Sequence, residues 1–212
     1  MIARRDALLE NQHDFDIFRE ENRRKENIII FDWDDTLMFS TWIEKNNKLV
    51  ENNKDDIEEC ENSAYSLLEN AIQSGIVYIV SNGTLMWIVY SCSTYMPKLV
   101  PLLSKVHLVS CRDLYEATEP DVDEWKKNAF KTIAEDHCNQ FVNIISIGDS
   151  VKERSALLSL EVEDGINTKS IKMMENPSLP ILYKQQQFIL SQFQYILDKQ
   201  ERIDYQLNFK ND

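Results

Sequence analysis

The sequence predicts an α/β protein with a Rossmann-like parallel sheet of about five strands and helices on both faces. Short apolar runs alternate with helical stretches along the chain, which is typical of βαβ units around a parallel sheet. The runs are continuously apolar, as expected for strands buried on both faces. No internal repeat or low-complexity linker interrupts this alternation. We therefore expect one domain over residues 27–212, with residues 1–26 forming a helix packed on it.

Each predicted element corresponds to one segment of the pattern. The opening segment, Ala3–Arg24, is charged with spaced apolar residues and predicts a surface helix. Strands are predicted at Asn27–Phe31, Ile76–Val80, Val106–Val109, Val142–Ile147 and, more weakly, Lys169–Met173. Helices are predicted at Ile57–Ser74, Leu85–Leu103, Val122–His137, Val151–Leu160 and Leu182–Lys199. The last helix is expected to close over the sheet.

Composition narrows the class of protein. The formal net charge of −13 argues against a nucleic-acid partner, since a phosphate backbone requires a basic surface. No apolar run approaches the roughly 20 residues that span a bilayer, and no secretory signal is evident. The four cysteines are widely spaced, which favours reduced thiols in a cytosol. Whether this is the protein's own cytosol or that of a host receiving a secreted effector stays open, as does the oligomeric state.

Polar residues follow three of the predicted strands at the point where each strand ends. Asp32 and Asp34 follow the first strand, Ser81, Asn82 and Gly83 follow the second, and Asp149 follows the fourth. The carboxyl ends of parallel strands meet at one edge of the sheet, where ligands bind. The sequence therefore predicts a functional site at this edge.

The residue types at this edge suit phosphoryl transfer. Asp32 and Asp34 are two residues apart and project to the same side of an extended chain. Asp32 could attack phosphorus and form an aspartyl-phosphate, while Asp34 donates a proton to the leaving oxygen and later activates water. An anionic nucleophile needs a cation to approach phosphate, so we expect Mg²⁺ bound by Asp32, Asp149 and the carbonyl group of Asp34.

The phosphoryl oxygens also need partners. Ser81 and the backbone amides of Asn82 and Gly83 could hold them. A lysine should balance the remaining negative charge, and Lys126 and Lys127 lie in the helix before the fourth strand.

These segments resemble a known family. The sequences FDWDDT, IVSNG, WKKNAF and IGDSVKER are similar, in order and spacing, to the four motifs of the haloacid dehalogenase-like hydrolase superfamily. The resemblance covers Asn27–Leu160 and assigns the nucleophile to Asp32, the acid/base to Asp34, phosphate binding to Ser81, the lysine to Lys126 rather than Lys127, and metal binding to Asp149. Glu153 occupies a position where many members carry a second aspartate. Its role stays open between the helix surface and the metal's outer shell.

The resemblance also suggests a substrate class. Asp34 is absent from dehalogenase members, and membrane ATPase members carry threonine there, so the phosphatase branch remains. Neither Leu37–Ser74 nor Ser81–Lys126 has room for the inserted cap domain that small-substrate members carry. Capless members often act on proteins, so we expect a phosphorylated protein or peptide substrate, with phosphotyrosine favoured over phosphoserine. Trp42 could then contact a substrate ring.

Three other functions compete with this one. A cysteine phosphatase needs arginine six positions after its cysteine, but those positions hold Ser66, Lys98, Ala117 and Ile144. A phosphatase of small metabolites or nucleotides stays open as an alternative. So does a catalytically weak binding module that keeps the fold.

Overall fold

The described part of the chain forms a sheet of six parallel strands. In this computed structural model the described residues are 27–137, 143–161 and 166–209. The strands are β1 (Asn27–Phe31), β2 (Ile76–Ser81), β3 (His107–Ser110), β4 (Asn143–Gly148), β5 (Asn167–Lys172) and β6 (Ile203–Gln206). Their order is β3-β2-β1-β4-β5-β6, and every neighbouring pair is parallel. The predicted α/β fold with a parallel sheet is confirmed.

Helices connect the strands and cover both faces of the sheet. They are α1 (Ser40–Asn46), α2 (Lys54–Ser74), α3 (Leu85–Tyr95), α4 (Val100–Leu103), α5 (Cys111–Tyr115), α6 (Val122–Asp136), α7 (Val151–Leu158) and α8 (Leu179–Asp198), with 3-10 turns at Asn47–Asn53 and Pro97–Leu99. One core includes residues of α2, α3 and α8, and the other includes residues of α5, α6 and α7. Among the described residues, each helix is too short or too polar to cross a membrane.

β1 separates the two cores. Ile29 and Phe31 belong to the first core, whereas Ile28 and Ile30 belong to the second, as expected for alternating side chains of one strand. All five residues of β1 are buried, which explains its continuous apolar sequence. Burying one such side chain stabilises the fold by about 1.5–3 kcal/mol. β1 is therefore held from both faces, and the residues that follow it have a fixed starting point.

The structure contains a strand that the sequence pattern did not predict. β6 pairs with β5 at the edge of the sheet, and three of its four residues are exposed. A mostly exposed edge strand has no continuous apolar run, so the pattern does not reveal it. β5 begins at Asn167, earlier than predicted, because its buried positions include polar residues that the apolar pattern does not register.

One predicted helix is broken in the structure. The segment Leu85–Leu103 was expected to be continuous, but α3 ends at Tyr95 and a 3-10 turn precedes α4. Pro97 accounts for the break, since proline has no amide hydrogen and disfavours helical geometry at the preceding Met96. Met96 has φ −139° and ψ 55°, outside the helical region. The predicted helix Ala3–Arg24 lies outside the described residues.

β5 carries a lysine that is buried inside the sheet. Lys169 is 0% exposed, and its Nζ donates to the carbonyl oxygens of Ile196 (2.6 Å) and Leu197 (3.0 Å). These carbonyls lie in the last turn of α8, where a helix leaves them without internal partners. Burial lowers the pKa of Lys169 to about 8. The ammonium group thus ties the end of α8 to the sheet in a strand with few apolar side chains.

The chain turns sharply after β1. The N–H groups of Leu37 and Met38 both donate to the carbonyl oxygen of Trp33, at 3.1 and 2.9 Å. Asp35 has φ 55°, a left-handed conformation that aspartate tolerates better than most residues. The ring of Trp33 is fully buried, and its Nε1 donates to Ser91 Oγ on α3 (2.9 Å). This hydrogen bond fixes the turn to α3.

Ser91→Ala should lower the free energy of unfolding by about 1–3 kcal/mol, because the buried N–H of Trp33 loses its acceptor. Ser93→Ala is the matched control on the same helix, where the hydroxyl donates to the carbonyl oxygen of Val89 at an exposed position. The control should change the free energy by less than about 0.5 kcal/mol. Urea denaturation followed by circular dichroism measures both. Equal effects of the two substitutions would contradict the assigned role of Ser91.

Candidate active site

The strand order places a crevice between β1 and β4. The chain proceeds from β1 to β2 and β3 on one side and to β4, β5 and β6 on the other. In open parallel sheets, ligands bind beyond the carboxyl ends of the strands at this reversal point. Asp32 directly follows β1, and Asp149 directly follows β4. The N–H of Asp32 donates to the carbonyl oxygen of Ile147 (3.0 Å), which joins the two strand ends.

Lys126 reaches this crevice from α6. It is 3% exposed, and its Nζ donates to Asp32 Oδ1 at 2.6 Å and to a carboxylate oxygen of Glu153. Burial alone would lower the pKa of Lys126, but the two carboxylates outweigh burial and raise the pKa above its usual value. The alternative lysine, Lys127, instead pairs with Glu124 on the same helix at 2.5 Å. Only Lys126 of this pair contacts Asp32.

Glu153 is buried and forms an ion pair with Lys126. Its Oε2 accepts from the N–H of Ser150 (2.9 Å) and from Ser150 Oγ (2.5 Å). The bond from the Ser150 N–H, together with the bond that the Ser150 side chain accepts from the N–H of Glu153, forms a capping box at the start of α7. Burial raises the pKa of Glu153, but the charge and hydrogen bond of Lys126, together with the hydrogen bonds at Ser150, outweigh burial and lower the pKa. A Cβ at Gly148 would lie 2.6 Å from Glu153 Cγ, so glycine is needed there. Glu153 is therefore not a helix-surface residue.

Three carboxylates converge at the crevice. Asp32, Asp149 and Glu153 each place a side-chain oxygen within 4.8 Å of the others. Burial raises the pKa of Asp32 well above its usual value, although Lys126 opposes this. Burial, together with the charge of Glu153, raises the pKa of Asp149 to about 7. One lysine does not neutralise three carboxylates, so this set of oxygens fits a hard divalent cation.

Asp34 has a different environment from Asp32. Its Oδ1 accepts from Trp87 Nε1 (2.7 Å) and from the hydroxyl of Ser40, and its Oδ2 accepts from Ser81 Oγ (3.1 Å). These donors come from α3, α1 and β2, and all three are uncharged. Asp32 and Asp34, expected to act as a pair, therefore have different hydrogen-bond partners. Asp32 contacts a lysine, and Asp34 is oriented by neutral hydrogen-bond donors.

The loop after β2 is organised around Ser81. Ser81 Oγ is fully buried and accepts from the N–H of Gly83 (2.9 Å) while it donates to Asp34. The amide of Gly83, expected to hold phosphate, is therefore engaged inside the loop. A Cβ at Gly83 would lie 2.9 Å from the ring of Trp87, so glycine permits their close contact. Asn82 lies between Ser81 and Gly83 in the sequence, and its carbonyl oxygen accepts a hydrogen bond from Arg112 Nε (3.3 Å).

A cavity of about 490 Å³ adjoins Asp34. It is lined by Asp34, Ser40, Thr41, Ile43, Glu44 and Trp87. The N-terminal turn of α1 forms one wall and is held by the N–H of Thr41, which donates to Asp35 Oδ1 (2.9 Å). The pKa of Asp35 is raised by burial. Helix α1 therefore stands beside the site at a fixed position.

Trp42, a candidate for contact with a substrate ring, lies outside the lining of this cavity. Its ring packs edge-on against buried Phe39 with centroids 6.2 Å apart. Trp87 packs against the first core, contacts Asp34 and lines the cavity. Trp42 and Trp87 lie on α1 and α3, and each of these helices has one face toward the core. The sequence does not show which of the two tryptophans faces the cavity.

Two further residues at the site were not predicted. Ser40 donates to Asp34, and Lys172 Nζ donates to the carbonyl oxygen of Asp149 at 2.9 Å. Lys172 also lies 3.2 Å from a carboxylate oxygen of Glu175 and is largely buried. Lys172, at the end of β5, thus stabilises the loop that carries Asp149. A polar residue at the end of a predicted strand is the signal that could have indicated Lys172.

Comparison with protein-family models, with curated proteins and with solved structures found no match. The chemistry of the site follows from its own residues. Those residues are a lysine held between two buried carboxylates, a third carboxylate close to both, and a separate aspartate beside a cavity.

Lys126→Met should lower the free energy of unfolding by about 3–5 kcal/mol in metal-free buffer at neutral pH. The substitution keeps much of the side-chain volume but leaves the buried carboxylates of Asp32 and Glu153 without their cation. Lys127→Met is the matched control and should change the free energy by less than about 1 kcal/mol, because its ion pair is partly exposed. Urea denaturation of both variants gives the comparison. A Lys126 variant as stable as its control would contradict the ion-pair arrangement.

Proposed function

We propose that the protein is a Mg²⁺-dependent phosphomonoester hydrolase that works through an aspartyl-phosphate on Asp32. The observation that carries the proposal is the contact between Asp32 and Lys126 inside a cluster of three carboxylates at the crevice of the sheet. This arrangement supplies a nucleophile, a cation for phosphoryl oxygens and a set of oxygens for a divalent ion. The order of the residues along the chain, which resembles the haloacid dehalogenase-like hydrolases, supports the same assignment.

The reaction would proceed in two displacements. An oxygen of Asp32 bonds to phosphorus while the bond to the ester oxygen breaks, and that oxygen takes a proton from Asp34 and leaves as an alcohol. Water then attacks phosphorus and gives a proton to Asp34. The bond between Asp32 and phosphorus breaks, which releases inorganic phosphate and restores both carboxyl groups.

The remaining residues would bind and orient the phosphoryl group. Lys126 would meet its oxygens from α6, and Ser81 would meet them from β2. Asp32 and Asp149 would hold Mg²⁺, with Glu153 beside them, and the bound ion would neutralise charge on the phosphoryl oxygens. The capping box of Glu153 would keep Lys126 in position through both displacements.

A phosphorylated protein or peptide is the preferred substrate, with phosphotyrosine favoured over phosphoserine. Residues 32–75 hold α1, a 3-10 turn and α2, and α2 packs in the core shared with α8. Within the described ranges, this connection contributes no separate cap domain over the crevice. A site without a cap leaves room for a macromolecular substrate. Small metabolites and nucleotides are the alternative substrate class.

The described cysteines favour the aspartate mechanism over a thiol mechanism. Cys60, Cys92 and Cys111 are all buried, and burial raises the pKa of each thiol to about 12. A thiol with such a pKa carries almost no thiolate at neutral pH, and the thiolate is the nucleophilic form. Cys138 lies outside the described residues.

Asp32→Asn should abolish hydrolysis of p-nitrophenyl phosphate without unfolding the protein, since asparagine has nearly the same shape but cannot form the acyl phosphate. Asp34→Asn should slow turnover by about 10²- to 10⁴-fold through loss of proton transfer. Asp55→Asn, at an exposed position in the first turn of α2, is the control and should keep wild-type activity. Acid quenching with radiolabelled substrate should trap labelled protein in the wild type and in the Asp55 control, and not in the Asp32 variant. Substantial turnover by the Asp32 variant would remove this residue from the nucleophile role.

A chelator should abolish activity, and added Mg²⁺ should restore it. Asp149→Asn should weaken the restoring effect by at least about tenfold in Mg²⁺ concentration, because one oxygen ligand is lost. Beryllium fluoride should inhibit as a mimic of the aspartyl-phosphate. Calorimetric titration of Mg²⁺ into the wild type and the Asp149 variant measures binding independently of turnover. Full activity in excess chelator, lost on thiol alkylation, would contradict the proposal and indicate a cysteine mechanism.

A further inference from the structure

The cavity beside Asp34 has a different lining from the crevice at Asp32. Its lining combines the indole of Trp87, the apolar side chain of Ile43, two hydroxyls and two carboxylates, from Asp34 and Glu44. No basic side chain of the described residues lines it. Glu44 is exposed and has no ion pair with any described residue. Glu44 thus gives the cavity a negative charge that no ion pair within the described residues neutralises.

Because the cavity adjoins Asp34, it would contact the leaving group of a substrate rather than the phosphoryl group. Asp34 gives its proton to the leaving oxygen in the proposed reaction, so the leaving group lies on the Asp34 side of phosphorus. Lys126 and the carboxylate cluster lie at Asp32, where the phosphoryl group is held. A volume of about 490 Å³ lies in the range of ordinary small-ligand sites, about 300–1,000 Å³. The cavity is therefore large enough for the body of a leaving group.

We propose, on the basis of the proposed function, that this cavity selects phosphomonoesters whose leaving group carries a positive charge. The indole of Trp87 attracts a cation that approaches its ring. Glu44 supplies the opposite charge at the opening, and Ile43 covers an apolar stem. An anionic leaving group would face the charge of Glu44 and is disfavoured.

The whole chain is charged in the same sense. Its formal net charge of −13 attracts basic partners and repels acidic ones over a distance set by the salt concentration. Two sources provide the required chemistry. One is a phosphorylated protein residue flanked by lysine or arginine, and the other is a phosphorylated amino alcohol.

The test compares cationic substrates with neutral molecules of the same shape. One pair is phosphocholine and the carbon isostere in which a tert-butyl group replaces the trimethylammonium group. The other is a phosphotyrosine peptide with a neighbouring lysine and the same peptide with norleucine. The wild type should prefer the cationic member of at least one pair by about tenfold in kcat/KM, mainly through a lower KM. The pair that shows the larger ratio identifies the source.

Two substitutions of Glu44 test its part in this preference. Glu44→Gln should reduce the ratio of cationic to neutral substrate to about twofold or less, and Glu44→Lys should favour the neutral member. Glu51→Gln is the matched control, since Glu51 is an exposed carboxylate on the following 3-10 turn, outside the cavity. It should keep the wild-type ratio. A wild-type ratio near one for both pairs, or a ratio that Glu44→Gln leaves unchanged, overturns the inference.

Failure of the proposed function gives a different result. In that case the wild type does not hydrolyse p-nitrophenyl phosphate with Mg²⁺, whatever the charge of the other substrates. Binding then decides the inference: choline and its carbon isostere are titrated against the full chain by ligand-observed nuclear magnetic resonance. Tighter binding of choline, lost in Glu44→Gln and kept in Glu51→Gln, supports a cation-selective cavity. Equal binding of the two compounds overturns it.

Discussion

The ion pairs of one buried lysine set the arrangement of the site. Lys126 stands between Asp32 and Glu153, with all three side chains almost entirely removed from solvent. A buried ion pair is stable only when its remaining hydrogen-bonding groups find partners. The capping box of Ser150 meets this condition for Glu153, and the small size of Gly148 leaves room for it. The start of α7 and the end of β4 therefore have their observed form because a charge is buried between them.

The turn after β1 separates two chemical environments. On one side, burial raises the pKa of Asp32, which lies in a cluster of carboxylates that could hold a metal ion. On the other, Asp34 accepts hydrogen bonds from neutral groups and faces a cavity. Two carboxylates in different surroundings can take different roles in one reaction, one as a nucleophile and one as a proton carrier. Trp33, the residue between them in the sequence, has a fully buried ring that is hydrogen-bonded to α3.

The sequence predicted the features that depend on local order. An apolar strand followed by an aspartate places Asp32 and Asp149 at one edge of a parallel sheet, and their positions agree with that expectation. The contacts of Trp87 with Asp34 and of Glu153 with Lys126 were not predictable in this way. They depend on how α3 and α7 are rotated against the sheet, which is decided by packing across long stretches of chain. The exposed strand β6 was missed for a related reason, since only its pairing partner defines it.

Helix α1 connects the width of the cavity to the orientation of Asp34. Its first residue, Ser40, lines the cavity and also donates to Asp34, while the next residue is tied to Asp35. A shift of this short helix away from the sheet would therefore widen the cavity and remove a hydrogen bond from Asp34 in the same movement. Access of a bulky ligand and alignment of the carboxyl group are mechanically coupled. A ligand that fits without displacing α1 leaves Asp34 in its observed orientation, and one that does not fit misaligns it.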